Sequence, residues 1–237
     1  MQNRIVPCAD GETTIVMACG QQVIQSEPGA EITDQGGNST MVYLLEPKQY
    51  KWIQYPSVSQ QLMDKQVKGI PLQQSDLPTQ TVLKARFELP DICRPSEGFL
   101  FVSDRGRAAL EELVPGCVAF FPLNLKAPAH MLTAKAYFLI DVLPRAQCID
   151  LDRSPTVTRI VRAPDGRESR ALKGLITDPS IKFKPLAPET PPIWREADLD
   201  RPTVQFFSDK GDVFVRDELW GALNAKLPGQ LVARKLA

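Results

Sequence analysis

The chain has 237 residues and a mass of 26.3 kDa, the size of one large domain or two small ones. Its 28 Lys+Arg cancel 28 Asp+Glu, so no overall field draws it to nucleic acid or to an anionic membrane, and 43% hydrophobic residues is ordinary for a folded globular protein. Five scattered cysteines, none spaced Cys-x-x-Cys, give neither a disulfide framework nor a zinc site, and no apolar run nears the ~20 residues of a membrane span. The N-terminus lacks a secretory pattern, so the expected compartment is the reducing cytoplasm.

Residues 1–40, rich in Gly, Gln, Thr and Ser, read as a loosely structured N-terminal extension with a β-like run at 13–17 and a breaker cluster at 34–39. The organised body is expected over 41–237. It opens with Met41-Val42-Tyr43-Leu44-Leu45, whose unbroken apolar run predicts a strand covered on both faces. Leu62, Met63 and Val67 fit one side of a short helix over 59–68. Alternation predicts a strand over 81–89, and further short strands at 136–143, 147–151, 156–161, 170–176 and 181–186. Ala163-Pro164-Asp165-Gly166-Arg167 supplies the turn of a hairpin between two of them. The run from Pro188 to Asp200 reads as a proline-stiffened loop carrying Trp194. Twenty-one prolines favour such short elements over long helices.

An internal repeat organises the body. With a constant offset of 113, Gly98/Gly211, Phe101/Phe214, Val102/Val215, Asp104/Asp217, Ala109/Ala222, Leu110/Leu223, Pro115/Pro228 and Gly116/Gly229 coincide, eight of 19 positions. Phe-Val ends a strand, Asp caps a new helix, Ala-Leu packs its inner face and Pro-Gly stops it. The expected fold is therefore α+β, with mixed or mainly antiparallel sheet, few short helices and two related strand-helix-strand units near 98–125 and 211–237. Arg107 aligns with Trp220, which places Trp220 on a partly solvated side of its helix. Two readings stand for it: packing under a neighbouring loop, or an interface anchor. Gly106, aligned with Leu219, weakens the start of the first helix.

The chain resembles the bacterial immunity proteins of polymorphic-toxin and type VI secretion systems, which carry a Phe-x-Val-Ser-Asp/Glu-x-Leu motif before a short helix, often in two copies. The matching residues are Phe99-Leu100-Phe101-Val102-Ser103-Asp104, Phe120-Phe121-Pro122-Leu123, Tyr137-Phe138-Leu139-Ile140-Asp141-Val142 with Ile149-Asp150-Leu151-Asp152, and Val213-Phe214-Val215-Arg216-Asp217, with Val42-Tyr43-Leu44-Leu45 as the opening strand. The resemblance covers about 41–237 and departs at Gly106, where leucine is common, and in the extension. It implies a non-enzymatic cytoplasmic protein, with no cofactor, that binds and neutralises one toxin encoded beside it. It carries over no binding site.

Candidate sites therefore come from the residues themselves. The run 189–218 holds eight acids and four bases, whereas 126–188 holds eleven bases and six acids, including Arg159, Arg162, Arg167, Arg170 and Lys173 around the hairpin. That basic strip reads as a solvated hairpin face. Trp194, Glu196, Asp198 and Asp200 could set an aromatic anchor and negative charge against a basic nuclease toxin; Trp220 joins them as a second anchor. Trp194 could equally pin its loop to the core. The enzymatic alternative is a small metal-dependent hydrolase or nuclease using Asp150/Asp152 or Asp198/Asp200. A Ser-His or Cys-His mechanism would need the one histidine, His130, beside Ser103, Cys93 or Cys117. A third alternative is a secretion adaptor or chaperone. No nucleotide-binding loop occurs.

Overall fold

The computed structural model describes residues 41–48, 62, 65–66, 69–82, 88–94, 99–126, 129–132, 136–162, 166, 168–172, 176–196 and 212–236; the expected extension over 1–40 and most of the expected helix over 59–68 lie outside them. Among the described residues are strands β1 (Val42–Pro47), β2 (Thr81–Val82), β3 (Ile92–Cys93), β4 (Leu100–Ser103), β5 (Val118–Pro122), β6 (Leu125–Lys126), β7 (Tyr137–Val142), β8 (Arg145–Ala146), β9 (Thr158–Arg162), β10 (Glu168–Leu172), β11 (Ile193–Glu196), β12 (Phe214–Arg216) and β13 (Leu231–Lys235). Two α-helices accompany them, α1 (Asp104–Leu113) and α2 (Asp217–Lys226). The class is α+β, with antiparallel and mixed sheets and few helices.

Four-stranded β3-β4-β7-β5 is antiparallel throughout, while five-stranded β13-β1-β12-β11-β8 is mixed because β11 and β8 run parallel. In each sheet a strand-helix-strand segment is split by a third strand antiparallel to both its strands. β7 lies between β4 and β5, and β1 lies between β12 and β13. The registers agree: Val102 pairs with Phe138 as Val215 pairs with Tyr43, and Phe120 pairs with Ile140 as Ala233 pairs with Leu45.

The helix ends show how local sequence works. Ser103 Oγ, rather than the expected Asp104, accepts from the Gly106 N–H at 3.1 Å and caps α1, while donating to Asp91 Oδ1 at 2.7 Å. The start of α2 has no side-chain cap; Asp217 and Glu218 place negative charge in its first turn instead. After the helices, Pro-Gly forms turns. Cys117 N donates to Val114 O at 3.1 Å across Gly116 at φ 76°, and Gln230 N donates to Leu227 O at 3.3 Å across Gly229 at φ 71°, the signature of type II turns. At Gly106 the reason for glycine is a neighbour: an added Cβ would lie 2.4 Å from the Asp91 carbonyl oxygen.

Both helices and one face of each sheet share a core containing Leu45, Val102, Leu110, Ile140, Val215 and Leu223. Period-2 alternation sends the other residues of the middle strands to the opposite faces. Tyr137 and Leu139 join Leu62, Leu72 and Leu89 in a second cluster, and Val42 and Leu44 join Ile149, Ile176, Trp194 and Phe214 in a third.

Several expected strands shrink. Over 81–89 only β2 and a bridge from Leu89 to Leu132 are described, 147–151 and 181–186 pair as strands only at the Ile149–Phe183 bridge, and 155–157 is a 3-10 turn before β9. The expected proline-stiffened loop ends in β11, because Pro191 and Pro192 stop just before the first residue that pairs with β12.

The sheets meet at the β7–β8 corner, where charge is buried. Asp141 is 1% exposed and Arg195 4%, and Asp141 Oδ2 accepts the Leu72 N–H at 3.2 Å. Burial raises the Asp141 carboxyl above its ordinary range against the pull of Arg195 and Arg145, and lowers Arg195 to about 10. Arg94 pairs with Asp212 beside them at 3.1 Å.

Three outcomes are expected in urea unfolding. Gly106→Ala should destabilise by about 1–3 kcal/mol through overpacking against the Asp91 backbone, whereas Gly221→Ala, which meets open space, should stabilise by about 0.5–1 kcal/mol. Asp141→Ala should cost about 3–5 kcal/mol because it leaves buried arginine charge without its carboxylate.

Candidate functional site

β11 decides the fate of the residues expected around Trp194. Its pairing with β12 sets Trp194 opposite Phe214, with ring centroids 5.8 Å apart and planes at 20°. Trp194 is 0% exposed, so it packs the third cluster and presents no surface to a partner, contrary to its expected part as an anchor. Glu196, half-buried at the end of β11, is also committed: its two carboxylate oxygens accept the N–H groups of Cys148 at 3.1 Å and Ile149 at 3.0 Å. This clamps the β11 end to the segment after β8. Asp198 and Asp200 lie outside the described residues.

Trp220 is placed differently. A helix linking β12 to β13 must cross over the strand between them, so the fourth residue of α2 lies above β1. Trp220 is half-buried and stacks on the half-buried Tyr43, with centroids 5.0 Å apart and planes at 17°. At the matching place on α1, the Arg107 guanidinium lies 4.9 Å from the Phe138 ring centroid and 5.4 Å from that of Phe120, and pairs with Glu111 at 2.8 Å. The structure thus keeps Trp220 apart from the Trp194 cluster of side chains in the core. Sequence reasoning missed Tyr43, which it treated only as part of a buried strand. The available signal was the parallel between Tyr43-Leu44-Leu45-Glu46 and Phe138-Leu139-Ile140-Asp141.

The groups considered for nucleophilic or metal chemistry have other partners or settings. Ser103 is 0% exposed and spent on the helix cap. Burial pushes the Cys93 and Cys148 thiols up to about 12, which keeps them protonated near neutrality. Cys117 is 1% exposed, and His130 is exposed on the 3-10 turn Ala129–Met131. Asp150 Oδ1 accepts the Arg153 N–H at 3.1 Å as a turn carboxylate, and Asp152 is exposed. Among the described residues no three His, Cys, Asp or Glu side chains group as metal ligands. No helix there is long and apolar enough to cross a membrane.

What these residues build is a sheet-and-helix scaffold with a surface aromatic stack. Residues 30–204 match the immunity protein family Imm11, and the chain belongs to that family. Among curated proteins none matches the chain.

The two tryptophans should separate by stability. Trp194→Ala should cost about 3–5 kcal/mol in urea unfolding, as expected for emptying a core site, and half-buried Trp220→Ala a clearly smaller amount. Equal losses would show that Trp220 is a core residue as well.

Proposed function

We propose that the protein neutralises a cognate bacterial toxin by direct, stoichiometric contact in the cytoplasm of the cell that makes it, and that it performs no catalysis. The observation that carries this reading is the match to an immunity family across 175 of 237 residues. The family supports an immunity function; polymorphic toxins and type VI effectors are the proposed partners. A specific interface of roughly 1,600 Å² in total is within reach of a chain this size.

The proposed contact surface centres on Trp220 stacked on Tyr43. A half-buried aromatic pair suits a hot spot, because it offers large rigid area at low ordering cost. Asp198 and Asp200, beyond the Glu196 clamp, are proposed to add negative charge toward a basic toxin. Trp194 and Glu196 then serve by holding β11, not by touching the partner.

The test is a pull-down of the full chain against the toxic domain encoded beside it, with growth scored when that domain is expressed. One-to-one binding with rescued growth is expected. Trp220→Ala should weaken binding about tenfold or more, the scale of a hot-spot loss above 1 kcal/mol. Absence of both binding and rescue would remove the reading.

A further inference from the structure

Among the described residues the two large sheets have four edge strands, and three of them are blunted. β3 is two residues long, and its Ile92 N–H already donates to Gln230 Oε1 at 3.2 Å. β8 is also two residues long. β5 ends in Pro122, which has no N–H to give and whose carbonyl accepts from Gln74 Nε2 at 3.3 Å. β13 is the exception: Leu231–Lys235 runs five residues without proline or glycine, and its one described strand neighbour is β1. Register identifies the groups left over. Lys48 N donates to Gln230 O at 2.9 Å and Leu236 N donates to Val42 O at 2.8 Å, so Gln230, Val232, Arg234 and Leu236 turn their peptide groups toward β1. Leu231, Ala233 and Lys235 turn theirs outward, where no described residue meets them.

This row is complementary to itself. In an antiparallel pair an outward residue must face an outward residue, and a two-fold axis at Ala233 does that throughout: Leu231 falls opposite Lys235 of the second copy, and Ala233 opposite Ala233. Ala233 is exposed and small where the copies come closest. The axis stands perpendicular to the sheet, so both copies of α2 lie on one side of it. α2 crosses above β1, and the two β1 strands stand three strand spacings apart, about 14 Å, against the roughly 8–10 Å at which helices pack, so the helices clear each other. Charge fits as well. The antiparallel order sets the two Lys235 residues about 14 Å apart along the strands, beyond a Debye length of about 8 Å in physiological salt, and Arg234 is paired with Glu46 of its own copy.

We infer that β13 is a dimerisation edge: a second copy of this chain pairs with it antiparallel about Ala233, joining two five-stranded sheets into one of ten strands. The pairing sets both Trp220–Tyr43 stacks on one face of the joined sheet, with Lys235 the cross-strand neighbour of each Tyr43. It does not depend on the proposed toxin contact.

The experiment is sedimentation of the full chain from about 1 to 100 μM, the range in which a modest edge contact dissociates, beside the Ala233→Pro variant. The substitution removes the central outward N–H from both copies, and proline is tolerated on an edge strand where that N–H faces solvent, so the monomer keeps its fold. The wild type is expected to move from 26.3 kDa toward twice that mass as concentration rises. The variant should need roughly tenfold more protein, or better, to do the same. A wild type that stays monomeric across the range overturns the edge, and so does a variant that dimerises equally well. Should the variant fold poorly, residue-resolved hydrogen exchange of the wild type decides: the amides of Leu231, Ala233 and Lys235 must gain protection with concentration, while those of Val232 and Arg234 stay protected throughout. Protection of the first three at every concentration assigns the edge to another segment of the same chain, and protection that arises only on adding the toxic domain assigns it to the toxin. Either result, or no protection at all, overturns the inference.

Discussion

The structure depends on two strands that do not belong to the chain segments they complete. A helix joining two parallel strands leaves room between them, and two strand spacings of about 4.8 Å are filled when one antiparallel strand enters. β7 fills that room under α1, and β1 fills it under α2. Without β1, β12 and β13 would each lose one row of partners, and the backbone groups of both would need water in what is now a covered layer. The filling strands also carry the core to both faces of each sheet. Leu45 and Ile140 point into the shared helix core, whereas Val42, Leu44, Tyr137 and Leu139 close the two outer clusters.

The same arrangement makes the chain a single long-range structure. β1, near residue 42, pairs with strands beyond residue 213, so the ends of the described chain are locked in one sheet. The helices are tied across it: Arg105 donates to the Lys226 carbonyl at 2.7 Å, and Gln230 and Ser103 both donate to the Asp91 carboxylate. Asp91 thereby couples the start of α1 to the turn after α2, and its carbonyl crowding Gly106 follows from that close approach. At the β7–β8 corner the buried Asp141 and arginines do a similar task with charge. Desolvation opposes that arrangement, as the shifts of both Asp141 and Arg195 show, so it holds by geometry and mutual compensation rather than by large net attraction.

Local signals in the sequence reached α1, α2, their strands and the Pro-Gly turns, because each depends on residues within a few positions. Long-range signals did not. Apart from its likeness to Phe138, 95 residues on, nothing around Tyr43 says that it will lie beneath Trp220, almost 180 residues away, and nothing near Asp91 says that its carbonyl will exclude a side chain at position 106. Trp194 shows the limit in the other direction. Prolines and carboxylates around it look like an exposed loop, yet Ile193-Trp194 is a two-residue match to β12 that buries the ring against Phe214. Pairing partners beyond residue 213 decided that, and composition near 194 carries no trace of them. The exposed Ile160 of β9 was hidden for the same reason: β-branched alternation marks a strand and is silent on whether another strand covers it.

The places over the two filling strands are held less tightly by packing than the core around them. The backbone carries a helix across there, and an aromatic ring, Phe138 or Tyr43, fills the gap below. It does not require one particular residue above the ring, since Arg107 at one place and Trp220 at the other both lie on it. The strand residues Val102 and Val215 and the helix residues Leu110 and Leu223 are buried and constrained by packing. The covering residues are half-exposed and constrained mainly to lie flat. A change of the covering residue therefore disturbs the fold less than a change of a buried one, because only the buried one leaves a cavity.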